Sequence, residues 1–459
     1  MKKKYQDCIE KVSQIIFEEI ATKEENLTDK IFEIDTDLLS LLRAIGSRVM
    51  SMLLTMLITQ VTTQTKKPGW KIQRNPQIKY TTIFGEFKIK SPYLWHKKLK
   101  IGIRPVAKFL GITAGVHSVG LTRALADFGA EESFERASLR FEEHYGFKVE
   151  SGKVRREVIK VAKFSEIFVN QRLELAQKEA ETNPRKKAER LLVELDGCHL
   201  RTGIKIPGTE NKLTQIRKIK KSRRKIEWKE TRVGFARPIE EKQQRTFVAR
   251  MDKYPNIIQQ LIGAAYDQGL SKKSQVFAVA DGGNGLFEGL KLAFPGLQFI
   301  LDRPHLKHHI YAAIEAMELK PENQVFLNDS FISLIDAGKV GKIIKKLQNY
   351  QGVGAKKIAN LTDYLIRFQE CVHYQKFERL GLPIGSGEVE SAHKYIPQKR
   401  LKIAGATWHP NTINPMLALR IIRANNWWSE FWNQYRASQD LNTAHNELNL
   451  NLNLNSNSN

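Results

Sequence analysis

Carboxylates set beside glycine stand at three distant points of this 459-residue chain. Asp196 closes the apolar run of RLLVELDGCHL, Asp281 closes QVFAVADGG, and Glu388 and Glu390 follow the chain break in PIGSGEVESA. Read as strands, the first two runs end at an acid followed by Gly197, or by Gly282 and Gly283. The backbone can then turn away and leave the carboxylate at a sheet edge. Pro383, Gly385 and Gly387 precede a helix expected to begin near Glu388. Singly, each acid has an ordinary explanation: Asp-Gly after a strand is commonly a turn, and an acid in a first helical turn complements the macrodipole. Jointly they describe a cage of hard oxygen ligands. Mg²⁺ prefers such ligands, and two ions about 3.5–4 Å apart activate a water or 3′-hydroxyl and stabilise the leaving oxygen of a phosphodiester. The expected cofactor is therefore two Mg²⁺, or Mn²⁺, held by Asp196, Asp281 and one of the two glutamates.

The elements around these acids follow a recognisable order. RLLVELDGCHL is a strand, and EWKETRVGFAR and QQRTFVARM complete an antiparallel meander. A helix near residues 257–266, the apolar strand QVFAVADGG, a helix over 285–294 and the strand LQFILD follow. That βββαβαβ order is the one found in the RNase H-like fold, where the first and fourth strands are neighbours, so Asp196 and Asp281 should converge. Residues 304–380 read as helical with no further strand. The expected class is mixed α/β (α+β): an RNase H-like core with a helical insertion, preceded by a mainly helical N-terminal region.

Charge points to the partner. Lys plus Arg number 74 against 49 Asp plus Glu, a net +25 that suits a polyanion whose condensed counterions are released on binding. Residues 105–182 read as helices, and within them SFERASLRFEEHYGFKVESGKVRREVIKVA has helix-turn-helix spacing, with a turn at Gly146 and a second helix opened by Ser151. That second helix would offer Lys153, Arg155, Arg156 and Lys160 to DNA, or simply to solvent. The loop over residues 205–225 gathers Arg217, Lys218, Lys220, Lys221, Arg223 and Arg224, together with Lys205, Lys212 and Lys225, against the single acid Glu210. A run so dense cannot pack, so it is read as a surface arm for phosphates.

Residues 66–104 alternate around Pro and Gly, and TTIFGEFKIK reads as a small hairpin. Residues 5–22 and 37–62 are helical by periodicity. VMSMLLTMLITQV is apolar, but Arg43, Ser47 and Arg48 interrupt the run upstream. A buried or dimer-forming helix is expected there rather than a membrane span. Cys8, Cys198 and Cys371 form no C-x-x-C pair, and MKKKYQDCIEKV lacks the apolar core and cleavage site of a signal peptide. The expectation is a cytoplasmic protein. The Asn/Leu/Ser tail from Leu441 is expected to be disordered.

At its acids the sequence resembles the DDE transposases of bacterial insertion sequences, specifically the ISKra group, related to Mutator-like transposases. The resemblance is carried by ELDGCHLRT, by FAVADGGNGLFEGLKLAFPGLQFILDRPHLKHHI and above all by GLPIGSGEVESAHKYIPQKRLKIAGATWHP with LALRIIRANNWWSEFW, and spans roughly residues 75–435. It implies Asp196, Asp281 and Glu390 as the catalytic, metal-holding acids, with Glu388 as the competitor. Asp302 and His305, in DRPH, fall where Mutator-like relatives carry C-x-x-H, which implies a place beside the active site; the alternative reading of His305 is a helix-start residue with a satisfied hydrogen bond. After the third acid, Lys394, Lys399, Arg400 and Lys402 would line a basic surface, Lys394 on the same helical face as Glu390. Where many relatives carry cysteine-rich segments, SPYLWHKKLK has none.

The expected organisation is a helical region at 1–65, a DNA-binding region of hairpin and helix-turn-helix at 66–185, and a catalytic core at 186–303 and 381–435. The core is split by the insertion at 304–380 and followed by the tail at 436–459. The expected partner is double-stranded DNA, both terminal inverted repeats and target, with the chain acting near the nucleoid as a homodimer or higher oligomer and without a membrane. Rival readings are a structure-specific nuclease or resolvase on the same fold, and a catalytically silent DNA-binding descendant.

Overall fold

A computed structural model describes residues 5–23, 27–111, 117–182, 187–206, 223–283 and 285–439. Two units divide the chain: one holds Met1–Ala124 and Leu139–Val149, the other Leu125–Ser138 and Glu150–Ala437.

The first unit begins with α1 (Gln6–Lys23) and the 39-residue α2 (Leu27–Thr65). Five short strands follow: β1 (Trp70–Arg74), β2 (Gln77–Thr82), β3 (Gly85–Lys90), β4 (Tyr93–His96) and β5 (Ile101–Ile103), then α3 (Pro105–Phe109). β2 and β3 pair over TTIFGEFKIK, with Thr82 opposite Gly85, so Ile83 and Phe84 alone make the turn. Gly85 takes φ 119°, which a side chain would resist. β1, β4 and β5 form a separate antiparallel sheet. On α2, Met50, Leu54, Leu57, Ile58 and Val61 recur at helical spacing and pack with Ile78, Phe87, Ile89 and Val106.

The other side of α2 is bare, with Leu42, Val49, Met52, Leu53 and Met56 exposed. Of the two alternatives expected for this helix, buried or dimer-forming, burial within this chain covers one face only. Its segment Glu33–Thr65 has a window of mean hydropathy 1.6 that is only 6% buried, and by length and composition alone it suffices to cross a bilayer. The charges at Arg43 and Arg48 had suggested too short a run; a single uninterrupted helix makes the stretch longer than the apolar letters implied.

α4 (Val119–Glu131) and α5 (Phe134–Tyr145) are shared between the units. After α5, Gly146 takes φ 76° and its N–H bonds the Glu142 carbonyl, ending the helix. The second unit then starts with α6 (Ser151–Thr182), whose Val154, Val158, Val161, Phe168 and Leu173 form one buried stripe.

The chain next lays down β6 (Arg190–Ile206), β7 (Arg223–Pro238), β8 (Thr246–Arg250), α7 (Tyr254–Asp267), β9 (Gln275–Ala280), α8 (Leu286–Ala293) and β10 (Gln298–Leu301). These strands make one mixed sheet of order β10-β9-β6-β7-β8. β6, β7 and β8 are antiparallel, while β9 runs parallel to β6 and β10 parallel to β9. β9 and the start of β6 are buried nearly throughout, as expected of parallel strands covered on both faces. After the sheet come α9 (Arg303–Glu315), α10 (Pro321–Asp336), α11 (Val340–Leu347), α12 (Ala355–Arg367), α13 (Tyr374–Arg379), α14 (Gly387–His393), a π-turn at Lys394–Gln398, the single turn α15 (Lys399–Leu401) and α16 (Ile413–Ala424). Trp427 and Trp432 are buried beyond α16 and pack among Phe168, Phe431 and Tyr435.

One strand runs longer than expected. β6 does not stop at Asp196; its ladder with β7 continues from Leu191↔Pro238 to Ile206↔Arg223. Asp196 is instead the point at which β6 keeps its partner on one side and loses β9 on the other, since the β6–β9 pairing ends at Glu194↔Val279.

Helices α6 and α7 meet through Gly263, where an added Cβ would lie 2.8 Å from the Leu173 Cβ and 3.2 Å from its carbonyl oxygen. Gly263→Val should therefore cost about 1–3 kcal/mol by overpacking, lowering the thermal midpoint by roughly 5 °C. Gly341→Ala, where nothing lies within 4 Å of the new Cβ, is the control and should leave the midpoint unchanged or slightly higher. Differential scanning calorimetry on both variants checks this.

Candidate active site

Parallel register brings the acids together. Glu194 pairs with Val279, so two residues further along each strand Asp196 and Asp281 come abreast. Leu301 pairs with Ala280, and the Asp302 N–H donates to the Ala280 carbonyl at 2.9 Å, which puts Asp302 at the same edge. Three neighbouring parallel strands thus deliver carboxylates to one end of the sheet.

Asp196 and Asp281 line a pocket of about 270 Å³ with Glu230, Arg232 and Tyr254. Gly197 makes room for Glu230: a Cβ there would fall 2.6 Å from the Glu230 Oε1. The glycine expected to turn the chain after Asp196 therefore lies within a continuous strand and admits a cross-strand acid instead. Asp281 is oriented by its own turn. Its Oδ1 accepts from the Gly283 N–H at 2.8 Å, and its carbonyl accepts from the Tyr364 hydroxyl at 2.6 Å. Asp196 Oδ1 accepts from the Gly197 N–H at 2.6 Å, while Oδ2 lies 3.2 Å from His393 Nε2.

Helix α14 covers this edge and separates its two glutamates. Glu388 accepts from Arg237 Nε at 3.0 Å and Nη2 at 2.6 Å, and Arg245 Nη1 lies 3.1 Å away. The Arg237 side chain is 1% exposed, so Glu388 is consumed in a buried two-pronged ion pair. Val389 N–H donates to Glu194 Oε2 at 3.0 Å. Glu390 is exposed, and a ligand atom from each of Glu390, Asp302 and His305 lies within 4.8 Å of the others. Asp302, fully buried, caps α9 by accepting from the His305 N–H at 2.8 Å and reaches across to the Ser386 N–H at 2.6 Å. His305 Nδ1 stands 3.0 Å from Asp302 Oδ1.

The electrostatics follow from this crowding. Burial opposes ionisation of Asp302, but the donors of His305 and Ser386 outweigh it and bring the carboxyl down to about 2. The Asp302 carboxylate, against burial and with Asp281 and Asp196 adding, raises His305 to about 9. Burial also opposes charge on His393, yet Asp196 and Cys198 beside it raise it to about 9. Glu194 goes the other way: burial, with Glu388 and Asp302 adding repulsion, outweighs the Val389 N–H and Arg237 and holds the carboxyl well above its ordinary range. The edge thus sets two imidazoles that hold their protons more tightly against the aspartates, above a buried glutamate whose ionisation is opposed.

Of the expected site residues, Asp196 and Asp281 share the pocket, Glu390 groups with Asp302 and His305, and Glu388 is tied to arginine. Glu230, His393 and Glu194 also belong to this edge. His393 lies four residues beyond Val389 on the helix covering β6; Glu230 is reached only through the long β6–β7 register, which no local pattern announces.

The cations expected to meet DNA fall in different places. Arg155, Arg156 and Lys160 are exposed on α6, and Lys153 is half-buried. Arg217, Lys218, Lys220 and Lys221 lie outside the described residues, Arg223 opens β7, and Arg224 is exposed. Lys394 and Lys402 are exposed. Lys394 follows Glu390 by four residues of helical backbone, and the π-turn that begins there shifts the phase of the residues after it. Lys399 is exposed but paired with Glu131 at 2.8 Å. Arg400 is a correction: only 2% exposed, it donates to the Gly129 carbonyl and stacks between Phe134 and Trp408, so it is no part of an outer basic surface.

The sequence profile of the uncharacterised protein family UPF0236 matches residues 25–430. Among curated proteins none matches the chain.

Arg237→Met leaves Glu388 facing Glu194 and Asp302 without its buried partner and should cost about 3–5 kcal/mol. The double variant Arg237→Met, Glu388→Met should recover most of that loss. Urea unfolding of the two variants beside the parent protein checks both statements.

Proposed function

The chain belongs to the uncharacterised protein family UPF0236, and for it we propose the activity of a DNA transposase of the DDE kind. The observation that carries this reading is the in-register meeting of Asp196 and Asp281 where β6 parts from β9, beneath a helix that brings Glu390 to the same edge. The mixed five-stranded sheet, with its antiparallel and parallel strands in this order, agrees with the RNase H-like arrangement expected of such an enzyme and supports the same reading. The net charge of +25 fits a nucleic-acid partner.

The donor set fits hard divalent cations. Asp196, Asp281 and Glu390 offer carboxylate oxygens from three separate elements, and Glu388, the alternative, is already engaged by two arginines. These three would hold two Mg²⁺, or Mn²⁺, which supply activation of the attacking oxygen and stabilisation of the leaving one. The remaining residues position and balance. Arg237 and Glu388 fix α14 against the sheet, Glu194 receives its backbone, and Gly283 and Tyr364 hold Asp281 from two sides. His305 and His393 place positive charge against Asp302 and Asp196, limiting repulsion among the acids.

In the proposed reaction a water attacks phosphorus at an end of the element and the 3′-oxygen leaves as a hydroxyl. That 3′-hydroxyl then attacks a phosphorus of target DNA, displacing another 3′-oxygen, so one phosphodiester forms for each one broken. The DNA bound would be the terminal inverted repeats of the element and the target duplex.

Asp281→Asn and Glu390→Gln should each lower Mg²⁺-dependent nicking of an end-containing duplex by at least about 100-fold, with duplex affinity within about twofold of the parent. Glu388→Gln should chiefly lower stability. Persistent nicking by Asp281→Asn would overturn the assignment. Nicking without strand transfer in a joining assay would favour a structure-specific nuclease, and binding with no nicking by the parent protein a silent descendant.

A further inference from the structure

A second cavity, of about 660 Å³, lies in the same unit at the far end of β6. It reaches Gly203–Lys205 on that strand, seven to nine residues beyond Asp196, or about 23–30 Å at the usual strand rise. One wall is the segment running from Arg400 to Trp408. It is fastened to β6 by the Gly203 N–H on the Trp408 carbonyl at 2.8 Å and the Trp408 N–H on the Arg201 carbonyl at 3.2 Å. Gly203 permits this approach, since a Cβ there would meet Thr407 Cγ2 at 2.6 Å.

The chemistry of the walls is of two kinds. Ile159, Ile204, Ile403 and Ala404 supply an apolar surface, and Arg155, Lys205, Arg224 and Arg400 supply positive charge; no carboxylate lines the cavity among the described residues. Arg155, Lys205 and Arg224 are exposed and make no ion pair with any described residue. Arg400 is the unusual member. Its guanidinium is 2% exposed, lies 4.5 Å from the Phe134 ring centroid and 4.8 Å from that of Trp408, and donates from Nε to the Gly129 carbonyl at 2.8 Å. Its Nη2 is buried and finds no acceptor. Burial, with Arg420 nearby, lowers its hold on the proton to about 10, the mark of a cation with no counter-charge. An anion in the cavity would supply one.

We infer that this cavity is a nucleotide subsite, with a phosphate held among Arg400, Arg155, Lys205 and Arg224 and an unpaired base against the isoleucine wall. Its size lies within the range of small-ligand pockets; a positive groove is what tracks the backbone of an unpaired strand, and here an aliphatic wall stands where such sites commonly carry aromatic rings. A duplex cannot offer a base to such a site; a single-stranded extension can. The inference rests on the DNA-binding reading above for the source of the nucleotide, but the site's own chemistry asks only for a nucleoside phosphate.

The test uses the full chain in EDTA, so that no strand is cut, with Ala404→Trp to fill the cavity from its exposed rim and Arg400→Met to remove the buried charge. Fluorescence anisotropy compares a blunt duplex with the same duplex carrying a four-nucleotide single-stranded extension, and thermal shift measures dAMP. The parent protein should prefer the extended duplex by about tenfold. Ala404→Trp should abolish that preference while leaving blunt-duplex affinity unchanged. Arg400→Met, wherever it folds, should do the same. If Ala404→Trp keeps the preference, or loses affinity for both duplexes alike, the subsite is refuted. If neither duplex binds but dAMP stabilises the parent and not Ala404→Trp, the subsite stands with a free nucleotide as its ligand and the transposase reading fails instead. If neither dAMP nor either duplex binds, both fail.

Discussion

A strand advances about 3.3 Å per residue and a helix about 1.5 Å, so two residues of strand and four of helix cover nearly the same distance, roughly 6–7 Å. Glu194 and Asp196 on β6 are matched in this way to Val389 and His393 on α14: the Val389 N–H meets Glu194, and His393 meets Asp196. Two contacts at a common spacing set both the position and the direction of the helix along the strand. A slip of one residue on β6 would turn both acids to the opposite face. The ion pair of Glu388 with Arg237, on the adjoining strand β7, adds a third point off that line and so fixes the helix's rotation. Where Glu390 stands relative to Asp302 and His305 is then a consequence of constraints supplied by Glu194, Asp196, Arg237 and Glu388, of which only Asp196 belongs to the proposed metal-holding set.

The same crowding raises an electrostatic difficulty. Asp196, Asp281, Asp302, Glu230, Glu388, Glu390 and Glu194 gather around one sheet edge, and unpaired buried anions are prohibitively costly. The remedies are of several kinds. Asp302 is fully buried yet anionic because backbone N–H groups and His305 face it. Glu388 has arginines. Glu194 has one N–H, and burial opposes its ionisation. Asp196 and Asp281 retain partial access to solvent; Asp196 faces the Gly197 N–H with one oxygen and His393 with the other, while Asp281 uses one oxygen for the Gly283 N–H.

Much of this was legible in the letters because burial leaves a period. The apolar runs around Leu191–Leu195 and Val276–Ala280 announced central strands, and the positions of Asp196 and Asp281 at the ends of those runs announced the edge. What failed to show was anything set by a partner far away in the chain. Gly197 looked like a turn, since Asp-Gly usually is one; its place in a long ladder is decided by β7, 26 to 41 residues on, where Glu230 needs the space. α2 presented the converse problem: its apolar residues sit on every side, so periodicity could not say which of them the β2–β3 hairpin would cover.

Basic residues were the hardest to read, and the distinction between arginine and lysine explains why. Among the described residues no lysine is buried, whereas Arg232, Arg237, Arg400 and Arg420 are. A guanidinium is planar and weakly hydrated, can lie flat on an aromatic ring and can satisfy several acceptors at once, whereas an ammonium retains its water. Arg420 accordingly bonds the Ala130, Tyr395 and Ile396 carbonyls and Glu131, and Arg400 lies between two rings. Lys394 and Lys402, close neighbours in sequence, stay at the surface. In a run such as QKRLK the lysines therefore speak for the exterior and the arginine for the core. Counting both as one basic surface merges a solvated field, which attracts a polyanion at long range, with a desolvated contact that acts only on what enters its cavity.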